Sequence, residues 1–276
     1  ITSAQIGAVT PTALAALTST VLGSLTPAQL GLVSATQIGA LSVTALSGLT
    51  PTQLGALSPT QASGLTPTQV GALSLLNATQ LGSITSAQIG ALTPTALAAL
   101  TSTVIGLLTP TQIGGLTSTQ ASLLTTAQLG GLTSSEIGAL STTAAKALTA
   151  TELKALTTTQ IGGLTASELG VLSTAQLGAL TSSQIAAFAT SALSGLTTAD
   201  IASLTTTQLA GVTSSQLGAL VTSQLGALSS VQIGSVTTTA LTGLTTSQIG
   251  ALTTTQASGL TSAQIGALGL LSSDQL

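Results

Sequence analysis

Six of the seven charged side chains stand inside a repeating pattern, and they are the places where this sequence could do acid–base or metal chemistry: Glu136, Glu152, Glu168, Asp200, Lys146 and Lys154. A hard cation such as Ca²⁺ wants six to eight oxygen ligands. Glu152 and Glu168 are the pair nearest to that chemistry, yet no third acidic residue stands beside them. Zinc and other borderline metals need His or Cys, and the chain has neither. Ser and Thr are abundant, but a hydroxyl nucleophile needs a base and no His is present to serve. Lys146 or Lys154 could in principle take that role. Both stand where the surrounding pattern carries Gly, which reads as a solvated side chain that aids solubility. No G-x-G-x-x-G or P-loop spacing occurs among the 30 glycines, so nucleotide binding has no support. The expectation is a protein with no catalytic, cofactor-binding or metal-ligating residues, and not an enzyme.

The elements that would position these residues come from an eight-residue unit, roughly Leu-Thr-x-x-Gln-Ile-Gly-Ala, repeated along the chain. Position 1 is Leu, Ile or Val, with Phe188 as the lone aromatic, read as core. Position 2 is usually Thr or Ser, position 5 Gln, position 6 Ile or Leu, position 7 Gly and position 8 Ala or Gly. One unit cannot bury its own apolar side chains, so a period this short implies a solenoid, a fibre or an array. The register divides 1–276, a single continuous array, into a first octad block at 1–72, an eleven-residue interruption at 73–83, a second block at 84–267, and the start of a second interruption at 268–276. Residues 84–115 nearly duplicate 1–32. The sequence is therefore expected to be a window from a longer tandem protein, or a subunit that continues the pattern end to end.

Thr or Ser at position 2 with Gln at position 5 is the capping box, which satisfies two free backbone donors at a helix start. All 7 prolines directly follow Thr or Ser, at the first helical position, where a missing N–H costs nothing. Glu136, Glu152, Glu168 and Asp200 replace Gln at position 5, where the helix dipole favours a carboxylate. Asn77 opens a sequon, Asn77-Ala78-Thr79, and reads more simply as a helix-start residue. Gly at position 7 is expected to stop each helix in a left-handed conformation. Positions 1, 6 and 8 are expected to line a narrow core, and the eleven-residue unit to form a longer helix or a corner. The predicted fold is all-α: a solenoid of very short helices, one capped turn per repeat. A β-solenoid or cross-β fibre is the competing architecture, since Thr, Ile and Val suit strands and Gln/Thr repeats can stack as ladders.

Composition narrows function further. Charged residues are 3% of the chain and the net charge is −3, which leaves no basic patch for nucleic acid. Mean hydropathy is high, at +0.68. Yet a Thr or Ser interrupts every octad, well short of the ~18 apolar residues that a membrane span needs. A surface with so little charge repulsion favours self-association. Rows of Thr at fixed spacing also admit an ice- or polysaccharide-binding face.

Leu-Thr-Pro-Thr-Gln (Leu49 to Gln53, Leu65 to Gln69, Leu108 to Gln112) resembles the opening of repeats in TAL effectors, the bacterial DNA-reading proteins. The long unit, its base-reading loop and its basic charge are missing, so DNA reading is not implied. More closely, the whole chain resembles the LTxxQIxAL repeat tracts of large secreted bacterial surface proteins. That resemblance implies an extracellular or cell-surface location in bacteria and a structural role. The expected roles are a self-assembling filament, sheath or biofilm-matrix fibre, or else the passive stalk of a giant adhesin. The implied partners are other copies of the chain and cell-surface polysaccharide.

Overall fold

The computed structural model describes residues 3–268, and it is helical: 32 α-helices of four to seven residues and two 3-10 turns, with no strand among the described residues. Among the described residues each octad except 188–195 makes one α-helix, opened by its capping residues. Ser58 is representative. Its backbone is extended (φ −68, ψ 157), its Oγ accepts from the Gln61 N–H, and the Gln61 side chain accepts in turn from the Ser58 N–H. Pro59 then opens the helix Pro59–Ala62, where its fixed φ is already helical and no donor is lost. The other six prolines likewise occupy the first helical position.

What stops the helices differs from the expectation at position 7. Among the described residues no glycine, and no other residue, has positive φ. The stop comes instead from position 1 of the next octad. Leu57, which ends Pro51–Ala56, is extended (φ −61, ψ 131), and the extended cap Ser58 follows it. Two consecutive extended residues turn the chain at the junction.

The helices wind into coils of three octads. Ala35–Ala40 packs on Pro59–Ala62, and Ser118–Ala121 on Thr142–Ala147. In the same way Ser182–Ala186 packs on Thr206–Leu209, and that helix on Ser230–Ser235. Each element thus meets the one three octads further along the chain. Two compact units are built this way, Ile1–Ala147 and Leu148–Leu276.

Within each unit the interior is lined by positions 1 and 6. Ile38, Leu49, Ile105 and Ile113 in the first unit, and Leu153, Leu169 and Leu217 in the second, are fully buried. Such a side chain contributes roughly 1.5–3 kcal/mol on burial, whereas an isolated helix of five residues has no stability in water. Stacking therefore holds the helices. Position 8 is not core as expected: Ala40 is half-buried and Ala56 exposed, while the polar position 5 is buried in its stead.

The eleven-residue unit is a local bulge in one coil. A 3-10 turn, Ala72–Leu75, follows directly on Pro67–Gly71, and Asn77 then caps Ala78–Gly82 as a helix-start residue. The coil is longer by the three extra residues, so that Pro51–Ala56 meets Ala78–Gly82. The second interruption lies outside the described residues beyond Leu268.

A second irregularity shows what the caps do. Octad 188–195 has Ala at both capping positions, Ala189 and Ala192, and it forms a 3-10 turn, Thr190–Gly195, without a side-chain cap. Octad 220–227 has lost only the hydroxyl, with Val221 at position 2. Gln224 still accepts from the Val221 N–H at 3.0 Å, and Thr222–Gly226 stays α-helical. Half a capping box preserves the α-turn, and loss of both halves does not. Ala189→Thr combined with Ala192→Gln should therefore stabilise the chain by about 1–2 kcal/mol, read as a higher midpoint in urea; an unchanged or lower midpoint would contradict this account of the caps.

Candidate assembly interface

The residue on which stacking converges is the glutamine of position 5. Gln208 shows the full set of bonds. Its Oε1 accepts from the Thr205 N–H at 2.9 Å and the Thr205 hydroxyl at 3.1 Å. Its Nε2 donates to the carbonyls of Leu177 at 2.8 Å and Leu180 at 2.9 Å, in the preceding coil. The Leu177 carbonyl also accepts from the Leu180 N–H at 3.1 Å, and the Leu180 carbonyl lies at the junction, where the helix has no donor to offer. One buried amide thus finishes the start of its own helix and the end of a helix one coil back, with both protons and both lone pairs engaged.

The pattern recurs at fixed separation. Gln61 reaches Leu30 and Val33, Gln120 reaches Ile89 and Leu92, and Gln256 reaches Leu225 and Leu228, always 31 and 28 residues back. Across the enlarged coil the ladder shifts by the three added residues: Gln88 reaches Leu54 and Leu57, 34 and 31 back. It resumes the usual separation at Gln112, which reaches Leu81 and Ile84.

Close approach of backbones is the second requirement. Gly64, Gly115, Gly195, Gly211, Gly243 and Gly259 stand at position 8. A Cβ on any of them would overlap backbone in the preceding coil, at Ala35, Ser86, Ala166, Ser182, Ser214 and Ser230 respectively. The partner positions are always Ser or Ala. Gly48 over Ser19 and Gly131 over Ser102 show the same approach. These glycines are separated by even numbers of octads, save that the step from Gly64 to Gly115 also spans the three extra residues. Octads therefore alternate between two kinds. With three octads per coil, alternation along the chain places unlike octads on one another in successive coils. That two-octad period is present in the sequence, and the eight-residue consensus averages it away.

Four carboxylates occupy the glutamine position and keep only part of its role. Thr133, Thr165 and Thr197 donate their N–H groups to Glu136 (2.6 Å), Glu168 (2.7 Å) and Asp200 (2.8 Å), and Thr149 donates to Glu152 in the same way. The helix dipole favours that oxygen, as the sequence implied. The second oxygen is where the amide protons should be. Oε1 of Glu168 is buried without a hydrogen-bond partner. Burial raises the pKa of Glu168 above its ordinary value, against the lowering effect of the Thr165 bonds. Lys146 and Lys154 are exposed at position 7, and Phe188 is buried at position 1. Among the described residues no three metal-ligating side chains cluster, and no helix is long and apolar enough to cross a membrane.

These features define the class: an all-α solenoid repeat protein whose coils are joined by a buried glutamine ladder. Residues 193–230 match the family described as the ALTTAQ repeat, which supports a repeat tract over that stretch. No curated protein matches the chain. Among solved structures, a leucine-rich repeat-containing protein from Legionella pneumophila, LegL7, is similar over 80% of each chain at 10% identity, with a TM-score of 0.25.

Two outcomes follow for stability. Gly211→Ala should cost about 2 kcal/mol or more, because backbone must move to admit the methyl. Gly226→Ala, in a helix and with nothing within 4 Å of its Cβ, should gain roughly 0.5–1 kcal/mol. Thermal melts of the two variants decide this, and equal shifts would refute the close-approach account. Glu168→Gln restores the missing donor and should stabilise by about 1–3 kcal/mol at neutral pH. A raised folded-state pKa means that the wild-type penalty develops as pH rises above the ordinary carboxylate range. The gain should therefore shrink toward the acid end of that range; a gain independent of pH would show that Glu168 is not penalised by its charge.

Proposed function

We propose that this chain is a structural, non-enzymatic protein that assembles with copies of itself into an extracellular bacterial filament, sheath or biofilm-matrix fibre. The observation that carries this reading is the generic character of the coil-to-coil interface. In each unit an amide at position 5 meets an equivalent pair of carbonyls at coil after coil, and the same small residues permit the same approach. An interface that identical coils make within a chain suits identical coils in different chains. A chain with only 3% charged residues offers little electrostatic opposition to such contact. The resemblance to LTxxQIxAL tracts supports the secreted, cell-surface setting.

The passive adhesin stalk is the second reading, and distinct binding domains encoded beside this repeat tract would favour it. An ice- or polysaccharide-binding Thr array has less support, since position-2 hydroxyls such as that of Thr205 are engaged in caps (Gln208 N–H to Oγ1, 3.2 Å).

Electron microscopy of the native material is the deciding experiment. Filaments whose reconstruction shows short helices stacked in three-octad coils across chain boundaries are expected. Assembly should persist from about 0.05 to 1 M salt, since screening acts on charge pairs that this surface lacks. A dispersed monomer at high concentration would overturn the proposal.

A further inference from the structure

The enlarged coil surrounds an apolar cavity that no part of the assembly reading explains. Its walls include Leu46, Leu54, Leu57, Leu65, Leu76 and Ile84, from the enlarged coil and the coil before it. The core is under-filled here. From Leu92 to Leu244 every position-1 residue except Val212 is buried, yet Leu65, Leu73, Leu76 and Ile84 are only half-buried. The centres of water-sized molecules can range over about 50 Å³ of this space. Roughly 10–15 Å³ by that measure accommodates one water, so the void holds a group the size of a single ring.

The lining decides what that group is. Ordered water needs two to four polar partners, and the polar side chains of the wall are already engaged. Gln69 accepts from Thr66 and donates to Ile38 and Leu41; Gln88 accepts from Thr85 and donates to Leu54 and Leu57; Ser47 donates to Thr44. No charged residue lies in the wall. The origin of the space is equally specific. Without residues 73–75 the segment Leu76 to Ser83 (LNATQLGS) is a regular octad, so three inserted residues, Leu-Ser-Leu, account for the wider coil.

We infer that the enlarged coil is a binding site for a small neutral hydrocarbon, about one aromatic ring in size, seated among Leu46, Leu54, Leu57, Leu65, Leu76 and Ile84. The test uses fluorobenzene as probe and ¹⁹F NMR of the full chain. Wild type is expected to give saturable line broadening with half-saturation on the order of a millimolar. Deleting residues 73–75 should restore the regular three-octad coil and abolish the saturable component while the chain remains helical by circular dichroism. Leu65→Phe, which keeps the insertion and fills the space from its half-buried wall, should weaken binding at least tenfold. Absence of saturable binding to folded wild type would overturn the inference. So would binding that persists unchanged in either folded variant. The outcome is independent of whether the chain forms filaments.

Discussion

A buried primary amide, recurring at position 5 of most octads, is what the stack depends on. Helices of four to seven residues expose nearly all their terminal donors and acceptors, and a fold composed only of such helices would bury many of them unpaired at about 1–3 kcal/mol each. The glutamine of position 5 removes that cost at both ends. Its oxygen serves the helix that carries it, and its nitrogen serves a junction in the coil before. Glutamate has the length and half the chemistry. The unpartnered Oε1 of Glu168 marks what is lost when an acceptor replaces the donor. The apolar interior supplies most of the favourable free energy, and the amide allows that interior to be enclosed by short helices.

Clearance is the second constraint, and it explains glycines that conformation does not. None of the described glycines needs a left-handed backbone. Gly64 and Gly211 are required because Ala35 and Ser182 lie directly against them, whereas Gly178 and Gly226 meet nothing within 4 Å. Position 7 is divided: a Cβ on Gly106 or Gly218 would overlap the carbonyl of Gly131 or Gly243, so only those of its glycines that meet nothing are free to change.

Much of this was legible in the sequence. Thr or Ser three residues before Gln, and Pro directly after Thr or Ser, locate the start of each helix, and the structure places Ser58, Pro59 and Asn77 accordingly. The helix stop is not legible in the same way: a glycine near a C-terminus suggests a left-handed cap, whereas the extended pair Leu57 and Ser58 makes the turn. The size of the coil was hidden, since partners 28 and 31 residues away leave no trace in a local pattern. The second role of glutamine was hidden for the same reason: the capping box accounts for its oxygen and is silent about its nitrogen. The cavity beside 73–83 follows from a length irregularity that the sequence displays but whose spatial effect depends on which coils it widens.

The pairing of unlike octads also bears on how such a gene can change in length. Loss or gain of one octad would bring like octads together in the three pairs that span the change. Glycines would move away from the backbone they must clear, and larger residues would take their place against it. Loss or gain of two octads leaves the alternation intact. The near-duplicate segments 1–32 and 84–115 obey this rule: they are offset by ten octads, an even number, plus the three inserted residues. Recombination between repeats is thus filtered by packing, and the tract is free to lengthen or shorten by pairs of octads but not by one.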